Sequence, residues 1–168
     1  MSTSLPHEAA WRRFLPLSTL ALAAGVALAD QATKAWVLAS LTHGERVPVT
    51  GFFNLVLTYN RGVAFGLLAS DYWWKPYLLV AIALLIVGGL LVWLRGQVAL
   101  LPRLATGLIV GGAIGNVIDR FTQPGVVDFL DFHLSGYHWP AFNIADCAIV
   151  VGVGLLLLDG LFASGPKR

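Results

Sequence analysis

Apolar residues gather along the chain into four long runs, separated by polar stretches of unequal length. The first run, Phe14 to Ala29, follows Arg12 and Arg13 and carries Pro16 in its first turn, where a missing N–H is tolerated. Asp30 and Lys34 continue its helical spacing at i, i+4, so a helix is predicted over about 14–34. The second run, Pro76 to Leu94, rises roughly 28 Å as a helix, about one hydrocarbon core. The third, Leu104 to Ile118, repeats glycine at Gly107, Gly111 and Gly115, a flat stripe that lets another backbone come close. The fourth starts near Pro140 and runs from Ala141 to Leu161, roughly 31 Å of helix.

Between the first two runs the pattern changes. Val47, Val49, Phe52, Phe53, Leu55, Val56 and Leu57 alternate only in part, but their β-branched and aromatic character, with turn residues Pro48, Gly51 and Asn60, predicts strands. A short antiparallel element is expected over about 43–66, with Asn60-Arg61-Gly62 as a turn. Tyr72, Trp73, Trp74 and Tyr77 form an interfacial aromatic belt ahead of the second run.

Composition turns four helices into four membrane spans. The 168 residues are 57% hydrophobic and 12% charged, with a mean hydropathy of +0.75, whereas soluble domains are roughly 25% charged. The expected fold is an all-α membrane protein, a four-transmembrane-helix bundle with a small external β element, in a single domain over 1–168. The single cysteine, Cys147, excludes an internal disulfide framework and a zinc ribbon. The isoelectric point near 8.9 reflects scattered Lys and Arg rather than a basic run, so nucleic acid is not an expected partner. The basic start and Ala27-Leu28-Ala29 also resemble a cleavable signal peptide, but an Asp30 to Lys34 pair on the continuing helix counts against cleavage.

Four spans put both termini on one side. Arg12, Arg13, Arg95, Arg103, Lys167 and Arg168 fall at the termini or in the Arg95 to Arg103 link, which the positive-inside rule assigns to the cytoplasm. Asp30 and the segments 43–75 and 119–140 then face outward.

The stretch Asn116 to Asp146 holds four acids, two asparagines and an arginine, and ionisable groups near hydrocarbon mark function by default. Asn143 and Asp146 share one face of the fourth helix, while Asn116, Asp119 and Arg120 lie near the outer end of the third. Asp128 is expected on a short loop folding back into the bundle, and Asp119 in a local ion pair with Arg120. If Asp128 meets Asp146, the two share one proton and can act as acid and base together; the competing reading is a pair of hydrogen-bonded structural acids. Asp128, Asp131 and His133 make a poor zinc set, with one clear nitrogen ligand. Ser135 has His133 and His138 nearby but no nucleophile elbow, and Cys147 points about 100° from Asp146. A small transporter relaying protons through these acids is the alternative from another class.

Asp30-Gln31-x-x-Lys34, Tyr59-Asn60-Arg61-Gly62-Val63-Ala64-Phe65-Gly66, Gly115-Asn116-x-x-Asp119-Arg120, Val127-Asp128-Phe129 and Phe142-Asn143-x-Ala145-Asp146 together resemble lipoprotein signal peptidase, the type II signal peptidase of bacteria. The match spans most of the chain in the same order. The resemblance implies a four-helix aspartyl peptidase of the bacterial inner membrane, with cytoplasmic termini and a site near the periplasmic face. Its substrate would be a diacylglyceryl-modified prolipoprotein, cut just before the lipidated Cys. It implies Asp128 and Asp146 as the catalytic pair, and Asn60, Asn116, Arg120 and Asn143 as polar residues lining the substrate site. Asp30 and Lys34 match a structural or binding pair, and 43–66 a periplasmic sheet that cradles the substrate. The expected partners are that precursor and membrane lipids, with a monomeric enzyme and neither metal nor cofactor. Val63 departs from the pattern, since many members carry Ala there. A retained first helix is also implied.

Overall fold

The computed structural model of the chain describes residues 15–62, 73–97 and 99–163. Arg12, Arg13, Val63 to Gly66, Tyr72, Lys167 and Arg168, on which parts of the sequence reading rest, lie outside these residues. Helix α1 spans Leu17–Ser40, strands β1 and β2 span Arg46–Thr50 and Phe53–Asn60, and helices α2 and α3 span Lys75–Leu94 and Leu100–Thr122. Strands β3, Val126–Leu134, and β4, Tyr137–His138, precede helix α4, Ile144–Ala163.

Three of these helices, Lys75–Leu94, Leu100–Thr122 and Ile144–Phe162, are long and apolar enough to cross a membrane. Large apolar side chains such as Leu85, Val92, Val150 and Leu161 stand exposed on α2 and α4, as lipid-facing positions would. Helix α1, at 24 residues, is long enough at about 36 Å, but Asp30, Gln31, Thr33 and Lys34 interrupt its apolar run. It extends past the predicted end at 34 because Val37, fully buried, packs with Leu57, Val127 and Phe129 where the helix meets the sheet.

Helix α3 lies between α1 and α4, and its glycines decide how closely. A Cβ on Gly107 would meet the Thr19 carbonyl oxygen at 3.0 Å, and one on Gly111 the Ala23 carbonyl oxygen at 2.6 Å. At Gly115 the space is filled by the Asp30 carboxylate, and at Gly112, on the other face, by the Ala145 carbonyl oxygen of α4. The stripe is therefore a packing device for α1, and Gly112, outside it, does the same for α4.

Helix α3 is longer than the predicted 104–118 at both ends. Pro102 sits in its first turn, so Arg103 belongs to the helix rather than to the link, and Asp119 and Arg120 lie inside its last turns. A drop in hydrophobicity marks a change of surroundings, not the end of a helix.

The strands form one antiparallel sheet in the order β1-β2-β3-β4. The β1–β2 hairpin is the predicted one, whereas β3 and β4 correct the loop expected around Asp128. Strand β3 is buried along most of its length and so lacks clear alternation in its sequence. Its hairpin turn, Ser135-Gly136, has φ of 50° and 83°, the left-handed pair that a two-residue hairpin needs. Helix α4 starts at Ile144 rather than Ala141 because Phe142 is held in the sheet: its N–H donates to the Leu130 carbonyl at 3.2 Å, and its own carbonyl accepts from Leu130 at 2.9 Å.

Candidate active site

The polar residues converge where the C-terminal part of α3, the start of α4 and strand β3 meet. Three residues from different elements organise the meeting: Lys34 from α1, Asn116 from α3 and Asn143 at the head of α4.

Asn143 caps α4. Its side-chain oxygen accepts the Asp146 backbone N–H at 2.9 Å, and the Asp146 carboxylate accepts the Asn143 N–H at 3.4 Å, a reciprocal box that satisfies two otherwise unpaired donors. The next free donor, the Ala145 N–H, goes to Asp30 Oδ1 at 2.9 Å. The Asn143 amide nitrogen then reaches Asp128 Oδ1 at 2.8 Å and the Val127 carbonyl at 3.2 Å. One fully buried asparagine thus touches both acids.

Asp128 stands on the face of β3 opposite Val127 and Phe129, which enter the core with Val37 and Leu57. Asn60 pairs with Val126, two residues along, so its side chain lies on Asp128's face and hydrogen-bonds it. Burial pushes the Asp128 carboxyl up to about 7, helped by repulsion from Asp146 and opposed by hydrogen bonds from Asn60 and Asn143 and by the charge of Lys34. Asp146 Oδ1 accepts the Asn116 amide at 2.8 Å.

Behind this pair, Lys34 Nζ lies 2.7 Å from both Asp30 and Asp119 and donates to Asn116 Oδ1 at 3.1 Å, with all three charged side chains essentially inaccessible. This corrects the expected pairing of Asp119 with Arg120. Adjacent residues on a helix point about 100° apart, and Asp119 faces α1, where Gln31 also donates to it at 2.9 Å. Its second oxygen accepts the Val127 N–H at 3.0 Å, tying α3 to β3. Arg120 donates to its own helix at the Asn116 carbonyl, 2.9 Å away, within the field of Asp146, Asp119 and Asp128.

All eight residues singled out in the sequence, Asp30, Lys34, Asn60, Asn116, Arg120, Asp128, Asn143 and Asp146, belong to this one connected region. Sequence reasoning missed Gln31 as a ligand of Asp119, although the polar pattern at 30, 31 and 34 was a usable signal. Asp131 and His138 lie elsewhere. Asp131, on the opposite face of β3 from Asp128, accepts from Asn54 at 2.8 Å, contacts His138 Nδ1 at 2.8 Å and pairs with Arg46 at 3.1 Å. Cys147 is a free, half-buried thiol whose N–H makes the first regular helical bond, to the Asn143 carbonyl.

Apolar helices with buried acids at one end of their bundle define a membrane-embedded hydrolytic enzyme once the known relatives are set beside them. The family profile described as Signal peptidase (SPase) II matches residues 22–162. The lipoprotein signal peptidase of Cupriavidus taiwanensis is 50% identical over 148 residues, covering 87% of this chain and 84% of that one. That of Azoarcus sp. strain BH72 is 49% identical over 160 residues and 90% of each chain. A solved chain described as a bacterial membrane enzyme structure by the in meso method at 2.3 Å resolution superposes with a TM-score of 0.80 at 30% identity, over 90% of this chain and 92% of that one. A second, at 1.9 Å resolution, gives 0.77 at 29% identity over 86% and 92%. This is a membrane-embedded peptidase of lipoprotein processing. The chain belongs to the signal peptidase II family.

Proposed function

We propose that the protein is an intramembrane aspartyl endopeptidase that removes the signal peptide from diacylglyceryl-modified prolipoproteins, cutting before the lipidated Cys, with Asp128 and Asp146 as the catalytic pair. The observation that carries this reading is the convergence of both carboxylates, Asp128 buried and Asp146 half-buried, on the fully buried Asn143. Two acids in one low-dielectric site do not both ionise near neutrality, so the pair retains one proton, and Asp128, with its carboxyl at about 7, carries it. Asp146 takes a proton from water as the water oxygen bonds to the scissile carbonyl carbon. Asp128 hydrogen-bonds the carbonyl oxygen and, as the C–N bond breaks, gives its proton to the leaving amine nitrogen, so the pair ends with the one proton that Asp146 took from water. Asn60 and Arg120 flank the pair with donors for the substrate backbone and the developing oxyanion, while Asn116 and Asn143, in the lining of the same site, hold the two acids. The substrate's acyl chains hold it in the same leaflet as the site, which replaces a three-dimensional search by positioning.

In this reading α1 is the fourth span, the enzyme acts as a monomer in the bacterial inner membrane with both termini cytoplasmic, and the sheet lies at the periplasmic face beside the substrate. Asp128→Asn and Asp146→Asn keep volume and hydrogen bonding but remove the titrating group. Each should abolish cleavage of a purified lipidated precursor in detergent, by at least about 100-fold given the usual weight of acid–base catalysis, and chelator should leave the parent enzyme unaffected. A folded variant that still cleaves efficiently disproves the pair. Stability should not follow activity. Because folding raises the Asp128 carboxyl from 3.8 to about 7, the folded state binds more protons across that range and loses stability as pH rises through it. Asp128→Asn should therefore melt no lower than the parent at pH 7 and above.

A further inference from the structure

Two amides in the site, the fully buried Asn143 and the half-buried Asn116, have their orientation dictated by partners that can act in only one sense. An ammonium only donates, so the Asn116 atom facing Lys34 Nζ at 3.1 Å must be the oxygen, and the nitrogen is left for Asp146 at 2.8 Å. A backbone N–H only donates, so the Asn143 atom facing that of Asp146 must be its oxygen, and its nitrogen is left for Asp128 and the Val127 carbonyl. The Asn143 orientation comes from the helix cap and maintains itself. That of Asn116 is set by two donors to its oxygen, the Lys34 ammonium reaching in from another helix at 3.1 Å and the Asn143 amide at 3.2 Å, and the Asn143 nitrogen is shared with Asp128 and the Val127 carbonyl.

We propose that Lys34 is a positioning residue for the reaction, fixing the Asn116 amide so that an N–H rather than a carbonyl oxygen meets Asp146. The inference rests on the aspartyl reading above. Lys34 is itself held by carboxylates on two helices, Asp30 and Asp119 at 2.7 Å each. Asp30 adds a second route to the same end, since its other oxygen holds the Ala145 N–H one residue before Asp146. Without Lys34 the Asn116 oxygen keeps only the shared, uncharged bond from Asn143 at 3.2 Å, and the hold on the amide weakens enough for it to turn over. Its oxygen would then face the carboxylate and favour the protonated acid, which cannot accept a proton from water. Among the described residues, Arg120 of α3, Asp128 of β3 and Cys147 of its own helix lie in the field of Asp146, and Lys34 with Asp30 and Asp119 stands behind Asn116.

The test is the pH dependence of kcat for a lipidated precursor, with Lys34→Met, Asn116→Ala and the double variant purified in detergent. Asn116→Ala changes no charge. It should lower kcat on the order of 100-fold, with KM within about twofold, and move the acid limb of the profile to higher pH. Lys34→Met should do the same, and in the Asn116→Ala background its shift of the acid limb should largely vanish, as expected of two residues acting in series. A Lys34→Met shift of equal size in both backgrounds would mean that Lys34 acts by its field alone, and overturns the proposal. Should Lys34→Met fail to fold, Asn116→Ala decides: an acid limb at its parental position, or a loss confined to KM, overturns it equally. Cleavage by folded Asp128→Asn or Asp146→Asn would instead remove the aspartyl reading on which the inference stands.

Discussion

Asp131 shows how much one side chain can hold together outside the candidate pair. It stands on β3 and reaches Arg46 on β1, Asn54 on β2 and His138 on β4, so a single carboxylate links all four strands. Burial raises its carboxyl, but the hydrogen bonds from Asn54 and His138 and the charge of Arg46 outweigh burial and hold it below the usual carboxylate range. Arg46, 54% exposed, contributes little to this, and the buried Asn54 bond contributes more. A lowered carboxyl gives stability that is present above the unfolded value and is lost as pH falls through the folded one. Asp131→Asn should therefore cost about 1–3 kcal/mol at neutral pH, seen as a lower melting temperature in detergent. The gap to the parent should close below the ordinary value of 3.8; a gap that persists there would mean the loss is steric rather than ionic.

At the scale of elements, the geometry of the candidate pair depends on backbones brought into direct contact. Gly112 faces the Ala145 carbonyl oxygen and Ile149 Cγ1, the latter 2.9 Å from an added Cβ, and Ala145 adjoins Asp146. Gly112→Ala should force α4 from α3, destabilising by about 1–3 kcal/mol and lowering kcat. Gly88, in the middle of α2, has nothing within 4 Å of an added Cβ, so Gly88→Ala should be neutral or slightly stabilising through helix propensity. Thermal melts and cleavage rates of the two variants test the contrast, and equal behaviour would mean that the α3–α4 contact is looser than this geometry. The same packing explains why helix limits were misread in the sequence. Val37 and Phe142 are apolar in either context, and only their partners, Leu57 and Val127 in one case and Leu130 in the other, decide that one is helix and the other sheet.

For the whole molecule, the expected arrangement has both termini and the α2–α3 link in the cytoplasm, because Arg95 at the end of α2 and Arg103 in the first turn of α3 flank that link and the positive-inside rule assigns it there. Reporter fusions near Gly96 and at Ser164 should both read cytoplasmic, and a periplasmic signal at either would remove the four-span arrangement. The mature chain should keep α1, since cleavage after Ala29 would detach the helix from Gly107 and Gly111 and leave Asp30 and Lys34 without their support. Intact mass of the purified protein measures this, and a chain starting at Asp30 would refute it.

The sequence by itself determined the membrane character, the four helical runs and the first hairpin, because each rests on local composition or on spacing along one element, whereas the set of eight polar residues that converge, Asn60 above all, came from the resemblance to lipoprotein signal peptidase. Hydrophobic runs of span length and i, i+4 pairs such as Asp30 and Lys34 need no knowledge of the rest of the chain. Tertiary structure alone decided that Asp128 lies on a buried strand, since a strand covered on both faces has no alternation to read. It also decided that Asp119 belongs to Lys34 rather than to its neighbour Arg120, and that Asn116 and Asn143 present nitrogen to the two acids. Those choices depend on which helix faces which, and proximity along a chain says nothing about the direction in which a buried donor points.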